Sequence, residues 1–423
     1  MDPAQDYLSC VLSRLTSVDQ LRKLVSVPHI ERSRGVRRDD PAQALAQPKT
    51  GAGAVRAAVL GAGFIAHVHL DAVRAAGGVV VGVAGREPGA ALQAMAQAER
   101  AAASASELIE APDVEVVHIC TPNDSHFDLA QQALLAGKHV VCEKPLATTL
   151  AQAARLTDLA AEMGVVTAVP FVYRYYAMVR EVRERVRNGE AGRLSMIHGY
   201  YLQDWLARDT DNNWRVDPRV GGASRVFADI GVHWMDLAEF TSGQRVTRLN
   251  AQLLTVFPKR QAPQGAFEVL TEDAATLSFE TDGGAIGSVV LSQVAHGRTN
   301  RLWLSLDGTE ASFVFDHNSP ERLWVGGRSA NRLLWRSPQH LSPTAASYSR
   351  LPAGHPQGFQ DCFNAFVADV YSAVRGGSPD GLPGFADGRR AAELTETVLA
   401  SASSRSWVEV PSFGRSSTAV EAT

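Results

Sequence analysis

A short stretch near the middle of the chain carries the residue types that proton transfer requires. It reads DIGVHWMD, from Asp229 through His233 to Asp236. On an α-helix these three side chains would project from one face. A carboxylate beside an imidazole can orient the ring and tune its charge, which suits acid–base catalysis. The same spacing also occurs in solvated surface pairs, so the rest of the chain must decide between the two interpretations.

The composition is that of an ordinary globular protein. The chain has 423 residues, a length that is enough for two domains. Of these residues, 45% are hydrophobic and 20% are charged, as in ordinary globular proteins. Its formal net charge of -4 provides no basic field for nucleic acid or anionic lipid. The sequence has no apolar run near the roughly 20 residues that span a bilayer. We therefore expect neither a nucleic-acid nor a membrane partner.

Residues 1–52 differ in composition from the rest of the chain, and we predict a flexible N-terminal extension there. It could be a docking element, or a start codon assigned too far upstream. Arg37-Arg38 is followed by Asp39-Asp40-Pro41 and not by an apolar segment, which argues against twin-arginine export. The four cysteines are scattered without CxxC spacing, as expected for buried thiols in a reducing compartment. We expect a cytoplasmic protein.

From Val55 the pattern predicts a dinucleotide site. A short apolar strand leads into Gly61-Ala62-Gly63-Phe64-Ile65-Ala66, and a helix comes next. In such a G-x-G-x-x-A turn, the first glycine permits the tight bend and the second lets the backbone approach a pyrophosphate. The helix N-terminus then faces the phosphates. The predicted contacts are Gly61, Gly63, Phe64 and Ile65.

The end of the second predicted strand, residues 79–84, bears on cofactor choice. An acidic residue there would bind the adenosine ribose, but the chain has Gly85-Arg86. An arginine can stack on adenine and pair with a 2′-phosphate. We therefore expect NAD(P) with a preference for NADP. The alternative is that Arg86 points to solvent and the site accepts either cofactor.

Strands and helices continue to alternate to residue 171, with a helix predicted over residues 88–102. This order predicts a doubly wound parallel sheet, a Rossmann domain over residues 53–171, with ligands at the carboxyl ends of its strands. Two motifs, TPNDSH and EKP, come directly after predicted strands at that edge. The predicted cofactor contacts there are Thr121, Pro122, Asn123, His126, Glu143 and Lys144.

Residues 172–411 predict a second, α+β domain with a large, mainly antiparallel sheet. One face of this sheet should pack against helices, and the other face could pack against a second subunit. We therefore expect a homodimer or tetramer assembled through this C-terminal sheet. The tail over residues 412–423 is predicted to be disordered.

The motifs GAGFIA, TPNDSH, EKP, Gly221-Gly222 and DIGVHWMD, in this order, resemble those of the Gfo/Idh/MocA oxidoreductases. This is the glucose–fructose oxidoreductase and inositol dehydrogenase family, and the resemblance covers residues 54–411. The segments YLQDW, NWR and GHP resemble sugar dehydrogenases of the levoglucosan dehydrogenase kind. The resemblance implies that Lys144, Asp229 and His233 are catalytic, and that the Lys144–Pro145 bond can be cis.

The reaction implied is hydride transfer between a nicotinamide and a secondary hydroxyl or ketone of a sugar, anhydrosugar or cyclitol. We expect His233 to act as base, Asp229 to orient it or bind a hydroxyl, and Lys144 to stabilise the reacting oxygen. Lys144 and His233 could exchange roles. Sugars favour aromatic walls and polar partners, for which we select Tyr173, Trp205, Trp214, Arg215, Asp236 and His355.

Three other functions fit parts of the pattern. A metal-dependent hydrolase or epimerase could use Asp229, His233 and Asp236 as ligands, but the nucleotide-binding half would then lack a purpose, and we expect no metal. An NAD(P)-binding sensor would bind the cofactor without chemistry. An NAD-dependent glycoside-cleaving enzyme would also begin with hydride removal.

Overall fold

The computed structural model describes residues 53–85, 98–263 and 265–411. The predicted extension over residues 1–52, Arg86, residues 88–97 of the predicted helix, and the tail over residues 412–423 lie outside the described residues. In the described parts of the chain, no helix combines the length and apolar character needed to cross a membrane.

The first half contains a six-stranded parallel sheet with the order β3-β2-β1-β4-β5-β6. Strand β1 lies between β2 and β4, so the direction in which successive strands are added reverses beside β1. Doubly wound sheets bind their ligands in the crevice at this point, outside the carboxyl ends of the strands. The predicted Rossmann architecture is confirmed. The strands are β1 Arg56–Leu60, β2 Val79–Ala84, β3 Arg100–Ala101, β4 Val116–Ile119, β5 His139–Cys142 and β6 Thr167–Ala168; the helices are α1 Phe64–Ala75, α2 Ala105–Glu110, α3 His126–Leu135 and α4 Leu150–Met163, with a 3₁₀ turn over Asn123–Ser125.

The end of the helix predicted over residues 88–102 is wrong. Residues 100 and 101 form β3, which pairs with β2, and the next helix is α2. Ser104 caps α2 by accepting the N–H of Glu107, whose carboxylate accepts the N–H of Ala103. This Ser-x-x-Glu sequence was the helix-start signal that our prediction overlooked.

The second half is built on a nine-stranded sheet with the order β16-β15-β14-β13-β7-β12-β11-β8-β17. Only β7 and β12 run parallel among its neighbouring pairs in the described residues, so the mainly antiparallel prediction is confirmed. The strands are β7 Leu194–Leu202, β8 Val246–Leu254, β11 Ala274–Thr281, β12 Ile286–Ser292, β13 Arg301–Gly308, β14 Ala311–Asp316, β15 Arg322–Gly327, β16 Arg332–Trp335 and β17 Val408–Glu409; β9 Lys259–Ala262 and β10 Gly265–Glu268 form a separate hairpin.

Helices cover one face of this sheet, where Leu277, Leu291, Leu304 and Phe313 are buried. The helices that contact it are α5 Ala177–Arg187, α7 Val232–Ser242 and α10 Phe385–Ser404. The second half also contains α6 Pro218–Gly221, α8 Pro343–Ala346 and α9 Phe359–Val374, 3₁₀ turns over Val172–Tyr175 and Trp214–Val216, and a π-helical turn over Phe227–Gly231.

Helix α9 returns to the first half and packs against α1. Gln360 donates to the carbonyl oxygen of Val68 at 3.0 Å, and the hydroxyl of Tyr371 lies 3.1 Å from Nε2 of His118. The first half therefore includes a helix from the C-terminal part of the chain.

Two buried carboxylates fix the start of the helical segment that contains Asp229. Oε1 of Glu272 accepts the N–H groups of Arg225 and Phe227, each at 3.0 Å, and the hydroxyl of Ser224 at 2.7 Å. A carboxylate at a helix start satisfies free N–H groups and complements the helix dipole. Glu272 therefore anchors this helical segment.

The second carboxylate, Asp273, compensates two buried guanidinium groups. It pairs with Arg225 and with Arg260, the latter at 2.7 Å, and all three side chains are fully buried. It also accepts the N–H groups of Val256 and Phe257. Such a group cannot be removed without leaving positive charge uncompensated in the interior.

We predict that Asp273→Ala lowers the free energy of unfolding by about 3–5 kcal/mol, because two buried arginines lose their counter-charge. Chemical denaturation followed by circular dichroism measures this loss. Glu162→Ala is the control, since its pair with Arg155 is exposed and should contribute nothing measurable. Equal stability of the two variants would contradict this account.

Candidate active site

A cleft of about 1320 Å³ opens between the two halves, at the carboxyl ends of β1, β4 and β5. The first half contributes the glycine turn after β1, residues 120–126 after β4, and Glu143 and Lys144 after β5. The second half contributes Asp229 and His233. The cleft is at the crevice where doubly wound sheets bind ligands.

The glycine turn fits a dinucleotide. Gly61 has φ +119°, and a Cβ there would lie 2.5 Å from the carbonyl oxygen of Cys120, so the turn itself requires glycine. A Cβ at Gly63 would meet no atom of the described residues within 4 Å. The space beside Gly63 is therefore open to a ligand, and Gly63 is also the N-cap of α1. Phe64 and Ile65 line the same part of the cleft, with Phe64 77% exposed.

Lys144 and Asp229 form an ion pair that joins the two halves across the cleft. Nζ of Lys144 donates to Oδ1 of Asp229 at 2.6 Å and to its main-chain oxygen at 2.9 Å. Their side chains are only 13% and 15% exposed. The Lys144–Pro145 peptide bond is cis, as the resemblance implies.

The carboxylate of Asp229 has two further polar neighbours. Nε of Arg215 lies 3.4 Å from Oδ1, and Nε2 of Gln293 donates to Oδ2 at 2.7 Å. Burial alone would raise the pKa of Asp229, but the charges of Lys144 and Arg215 outweigh it and hold the pKa well below the usual range. Asp229 is therefore ionised. It orients the ammonium group of Lys144 and, among the described residues, makes no hydrogen bond to the ring of His233, which we had expected it to orient.

His233 lies in the same cleft and is 8% exposed. Its ring meets the edges of Phe171 and Tyr173, with centroid separations of 5.8 and 5.3 Å. Burial lowers the pKa of His233 well below 6.5, and the charge of Lys144 lowers it further, so the imidazole is neutral. Its Nδ1 is buried without a hydrogen-bond partner among the described residues.

The prediction that Asp229, His233 and Asp236 share one face is wrong for Asp236. Asp229 lies in the π-helical turn and the other two residues lie in α7, so α-helical spacing does not relate Asp229 to Asp236. Asp236 instead pairs with Arg174, whose Nε lies 2.8 Å away, and lines a separate cavity of about 410 Å³.

Among the described residues, no group of three histidine, cysteine or acidic side chains is placed to hold a metal.

Three of the side chains selected for the substrate line the cleft: Tyr173, Trp214 and Arg215. The guanidinium of Arg215 lies over the ring of Trp214, 4.3 Å from its centroid. The other aromatic candidate, Trp205, packs beside a small apolar cluster outside the cleft and donates from Nε1 to Gln203 at 2.7 Å. Its role is therefore to support a residue that does line the cleft.

The structure does not bring His355 to the cleft. His355 is exposed in the loop before α9, and its carbonyl oxygen accepts a hydrogen bond from Arg336 at 2.6 Å. Arg336 is buried and also binds the carbonyl oxygen of Leu351. Hydrogen bonds from Arg336 to main-chain oxygens therefore hold this loop, and the GHP segment has a structural role within this chain.

Several polar residues of the cleft were missed by the sequence analysis. The hydroxyl groups of Tyr173 and Tyr201 lie 2.5 Å apart, and Tyr201 donates to Oδ1 of Asn300 at 2.7 Å. Gln203 donates to the same oxygen at 2.9 Å. Tyr201 and Gln203 alternate at the end of β7, which was a usable signal. Asn300 precedes β13, and only the pairing of β13 with β7 brings it close.

The predicted cofactor contacts after β4 and β5 all line the cleft, namely Thr121, Pro122, Asn123, His126, Glu143 and Lys144. Two of them also use their polar atoms within the protein. Nδ2 of Asn123 donates to the carbonyl oxygen of Gly221 at 2.9 Å. The ring nitrogens of His126 face the carbonyl oxygens of Pro145 and Thr121, at 2.7 and 2.9 Å. These two side chains shape the cleft wall.

Comparisons with known proteins agree with this geometry. Residues 55–171 match a family model described as an oxidoreductase family with an NAD-binding Rossmann fold, and residues 179–314 match the Gfo/Idh/MocA C-terminal domain. Levoglucosan dehydrogenase from Pseudarthrobacter phenanthrenivorans is 32% identical over 327 residues, which cover 72% of this chain and 82% of that protein.

Solved structures share this fold. A levoglucosan dehydrogenase in complex with NADH and L-sorbose has a TM-score of 0.80 at 29% identity, covering 85% of this chain and 99% of that one. An inositol dehydrogenase homolog complexed with NAD+ from Azotobacter vinelandii has a TM-score of 0.75 at 28% identity, covering 84% and 97%. Because both domains match in order along most of its length, the chain belongs to the Gfo/Idh/MocA family of NAD-binding oxidoreductases.

Proposed function

We propose that this protein transfers hydride between a nicotinamide dinucleotide and a secondary hydroxyl or ketone of a sugar, anhydrosugar or cyclitol. The observation that carries the proposal is the Lys144–Asp229 pair, which places an oriented ammonium group beside neutral His233 in a cleft that fits a dinucleotide. The similarity to levoglucosan dehydrogenase and to a structure holding NADH and L-sorbose supports the substrate class.

Each catalytic side chain has a role that follows from its surroundings. The bound dinucleotide supplies the hydride acceptor. Lys144, oriented by Asp229, donates a hydrogen bond to the reacting oxygen and stabilises the negative charge that develops there. Neutral His233 is free to take the hydroxyl proton. Since both groups reach the same cleft, exchange of their roles remains the alternative.

The substrate is held by the wall that the second half provides. The face of Trp214 offers an apolar surface for a sugar ring, and Arg215 beside it offers donors. Tyr173, Gln203 and Asn300 form a hydrogen-bonded group on the same wall. Such pre-ordered groups suit several adjacent hydroxyl groups, as in a sugar or cyclitol.

A panel of sugars, anhydrosugars and polyols with NAD or NADP, followed by nicotinamide absorbance at about 340 nm, tests the function. We expect Lys144→Ala to lower kcat for the best substrate by roughly 10²–10⁴-fold, because the reacting oxygen loses its stabilising donor. Lys259→Ala, at an exposed lysine, is the matched control and should leave kcat unchanged.

The pH profile of the same reaction separates the two bases. Because the pKa of His233 is lowered, the acid limb of wild type should lie below pH 6.5, and His233→Ala should abolish it. Near wild-type turnover and pH dependence in His233→Ala would exclude His233 as the base. Cofactor binding without an absorbance change for any compound would indicate a sensor, and glycoside cleavage among the products would indicate the cleaving enzyme.

We further propose that the cofactor is preferentially NADP, on the ground that Arg86 stands where NAD-specific sites have an acidic residue. Arg86→Ala should raise the Kd for NADP about 10-fold or more and leave that for NAD nearly unchanged, since one charge-assisted hydrogen bond is lost. Isothermal titration of both cofactors measures this, with Arg155→Ala, at an exposed arginine, as control. Equal losses for both cofactors would contradict the preference.

We propose a homodimer or tetramer that forms through the outer face of the nine-stranded sheet. Met196, Ile286, Val290, Leu333 and Trp335 are exposed there, and Tyr200 stacks on Trp303 with ring centroids 5.6 Å apart. Several exposed apolar side chains on one face of a sheet typically mark an interface.

Val290→Lys should therefore shift the protein to a smaller assembly in light scattering after size exclusion, because a charge would be buried at the interface. Leu135→Lys is the control, since Leu135 is also apolar and exposed but lies on α3 of the other half. A monomeric wild type, or an unchanged mass for Val290→Lys, would contradict the proposed interface.

A cytoplasmic location, which the scattered cysteines favour, also stays a proposal. Cys120, Cys142 and Cys362 are free and buried. Burial raises the pKa of each thiol well above its usual value, so the three behave as inert apolar side chains.

A further inference from the structure

Four buried titratable side chains form a chain from α9 to the wall of the cleft. The hydroxyl of Tyr371 lies 3.1 Å from Nε2 of His118, and Nδ1 of His118 lies 3.0 Å from Nδ1 of His69. Nε2 of His69 lies 3.0 Å from Oε1 of Glu143. Both histidines are fully buried, and Glu143 lines the cleft next to Lys144.

The proton positions in this chain can be worked out from its far end. Among the described residues, His118 is the hydrogen-bond partner of the Tyr371 hydroxyl. If His118 donated to Tyr371, the hydroxyl proton would be buried without an acceptor, which is costly. Burial also lowers the pKa of His118 well below 6.5, so the ring is neutral. Tyr371 therefore donates to Nε2 of His118.

Each later proton position depends on the one before it. His118, with Nε2 accepting, carries its proton on Nδ1 and donates it to Nδ1 of His69. His69 then carries its proton on Nε2 and donates it to Glu143. Every hydrogen bond in the chain points toward Glu143.

Glu143 receives these hydrogen bonds as an ionised carboxylate. Its Oε1 accepts from His69, and its Oε2 accepts the N–H of Lys144 at 3.1 Å. Burial alone would raise the pKa of Glu143, but the bond from His69 and the nearby charge of Lys144 outweigh burial and lower it. Nζ of Lys144 forms an ion pair with Asp229 at 2.6 Å, so the positive charge of Lys144 compensates the negative charge of Glu143 only in part.

We propose that Tyr371, His118 and His69 are positioning residues that keep Glu143 ionised on the cleft wall, and that its charge favours the oxidised nicotinamide over the reduced one. The oxidised ring is cationic and the reduced ring is neutral, so a fixed negative charge distinguishes them. The proposal rests on the nicotinamide-dependent function proposed above. It adds a device that sets the relative affinity for the two cofactor states.

The test measures binding without substrate. Kd values for the oxidised and reduced forms of the preferred dinucleotide are determined by isothermal titration. Glu143→Gln should raise the ratio of the oxidised Kd to the reduced Kd on the order of 10-fold, as expected for the loss of one charge near the ring. Glu143→Asp retains the charge and should keep a ratio near that of wild type. An unchanged ratio in Glu143→Gln, with wild type binding both forms, overturns the inference.

The proton chain has a second test that needs no cofactor. In ¹⁵N NMR spectra of wild type between about pH 6 and 9, His69 should be the Nε2–H tautomer and His118 the Nδ1–H tautomer. Tyr371→Phe should mix the tautomers of His118. Tyr348→Phe is the matched control, because this tyrosine donates to Asp369 on the same helix and should leave both rings unchanged.

These outcomes separate the inference from the function on which it rests. Reversed tautomers, or an imidazolium at either ring in wild type, overturn the proton chain even where Glu143→Gln fails to fold. If wild type binds neither cofactor form, the proposed function itself fails.

Discussion

The ion pair between Lys144 and Asp229 is the interaction on which the site depends. Lys144 comes after β5 of the Rossmann half, and Asp229 lies in the π-helical turn of the other half, so the bond exists only when the two halves are correctly apposed. Because both side chains are largely buried, each charge needs the other, since neither is solvated well enough alone. The pair both closes the fold across the cleft and holds an ammonium group ready for chemistry.

The surrounding structure maintains this pair from both sides. Glu272 and Asp273 anchor the segment that contains Asp229. Gln293, directly after β12, donates to Oδ2 of Asp229. On the other side, Asn123 bonds to the carbonyl oxygen of Gly221, which links the two halves a second time. The polar groups buried here therefore specify the geometry of the site.

Features with a local physical cause could be predicted from the sequence. The glycine turn at Gly61, the strand ends at Thr121 and Lys144, and the alternation of strands and helices follow from steric and periodic rules that neighbouring residues obey. The boundary near residue 100 failed, because pairing with β2 determines a two-residue strand and local propensity does not.

The remaining parts of the site depend on long-range pairing. Asn300 reaches Tyr201 only because β13 pairs with β7, and no spacing in the sequence encodes that register. Asp236 was misplaced because a π-helical turn has the composition of an α-helix but a different phase. Trp205 and His355 belong to motifs of the resemblance, yet one packs outside the cleft and the other lies on an exposed loop.

The return of α9 to the nucleotide-binding half has a consequence for how this chain can be divided. Residues 53–171 contain every strand of the parallel sheet, but α1 is covered by α9, and His118 finds its hydroxyl partner there. A fragment ending at residue 171 would expose the face of α1 that α9 covers and leave a buried imidazole without its donor. The sheet of the cofactor half is therefore continuous in sequence, but its hydrophobic core includes a helix from the C-terminal part of the chain. This core is completed only after most of the chain has been synthesised.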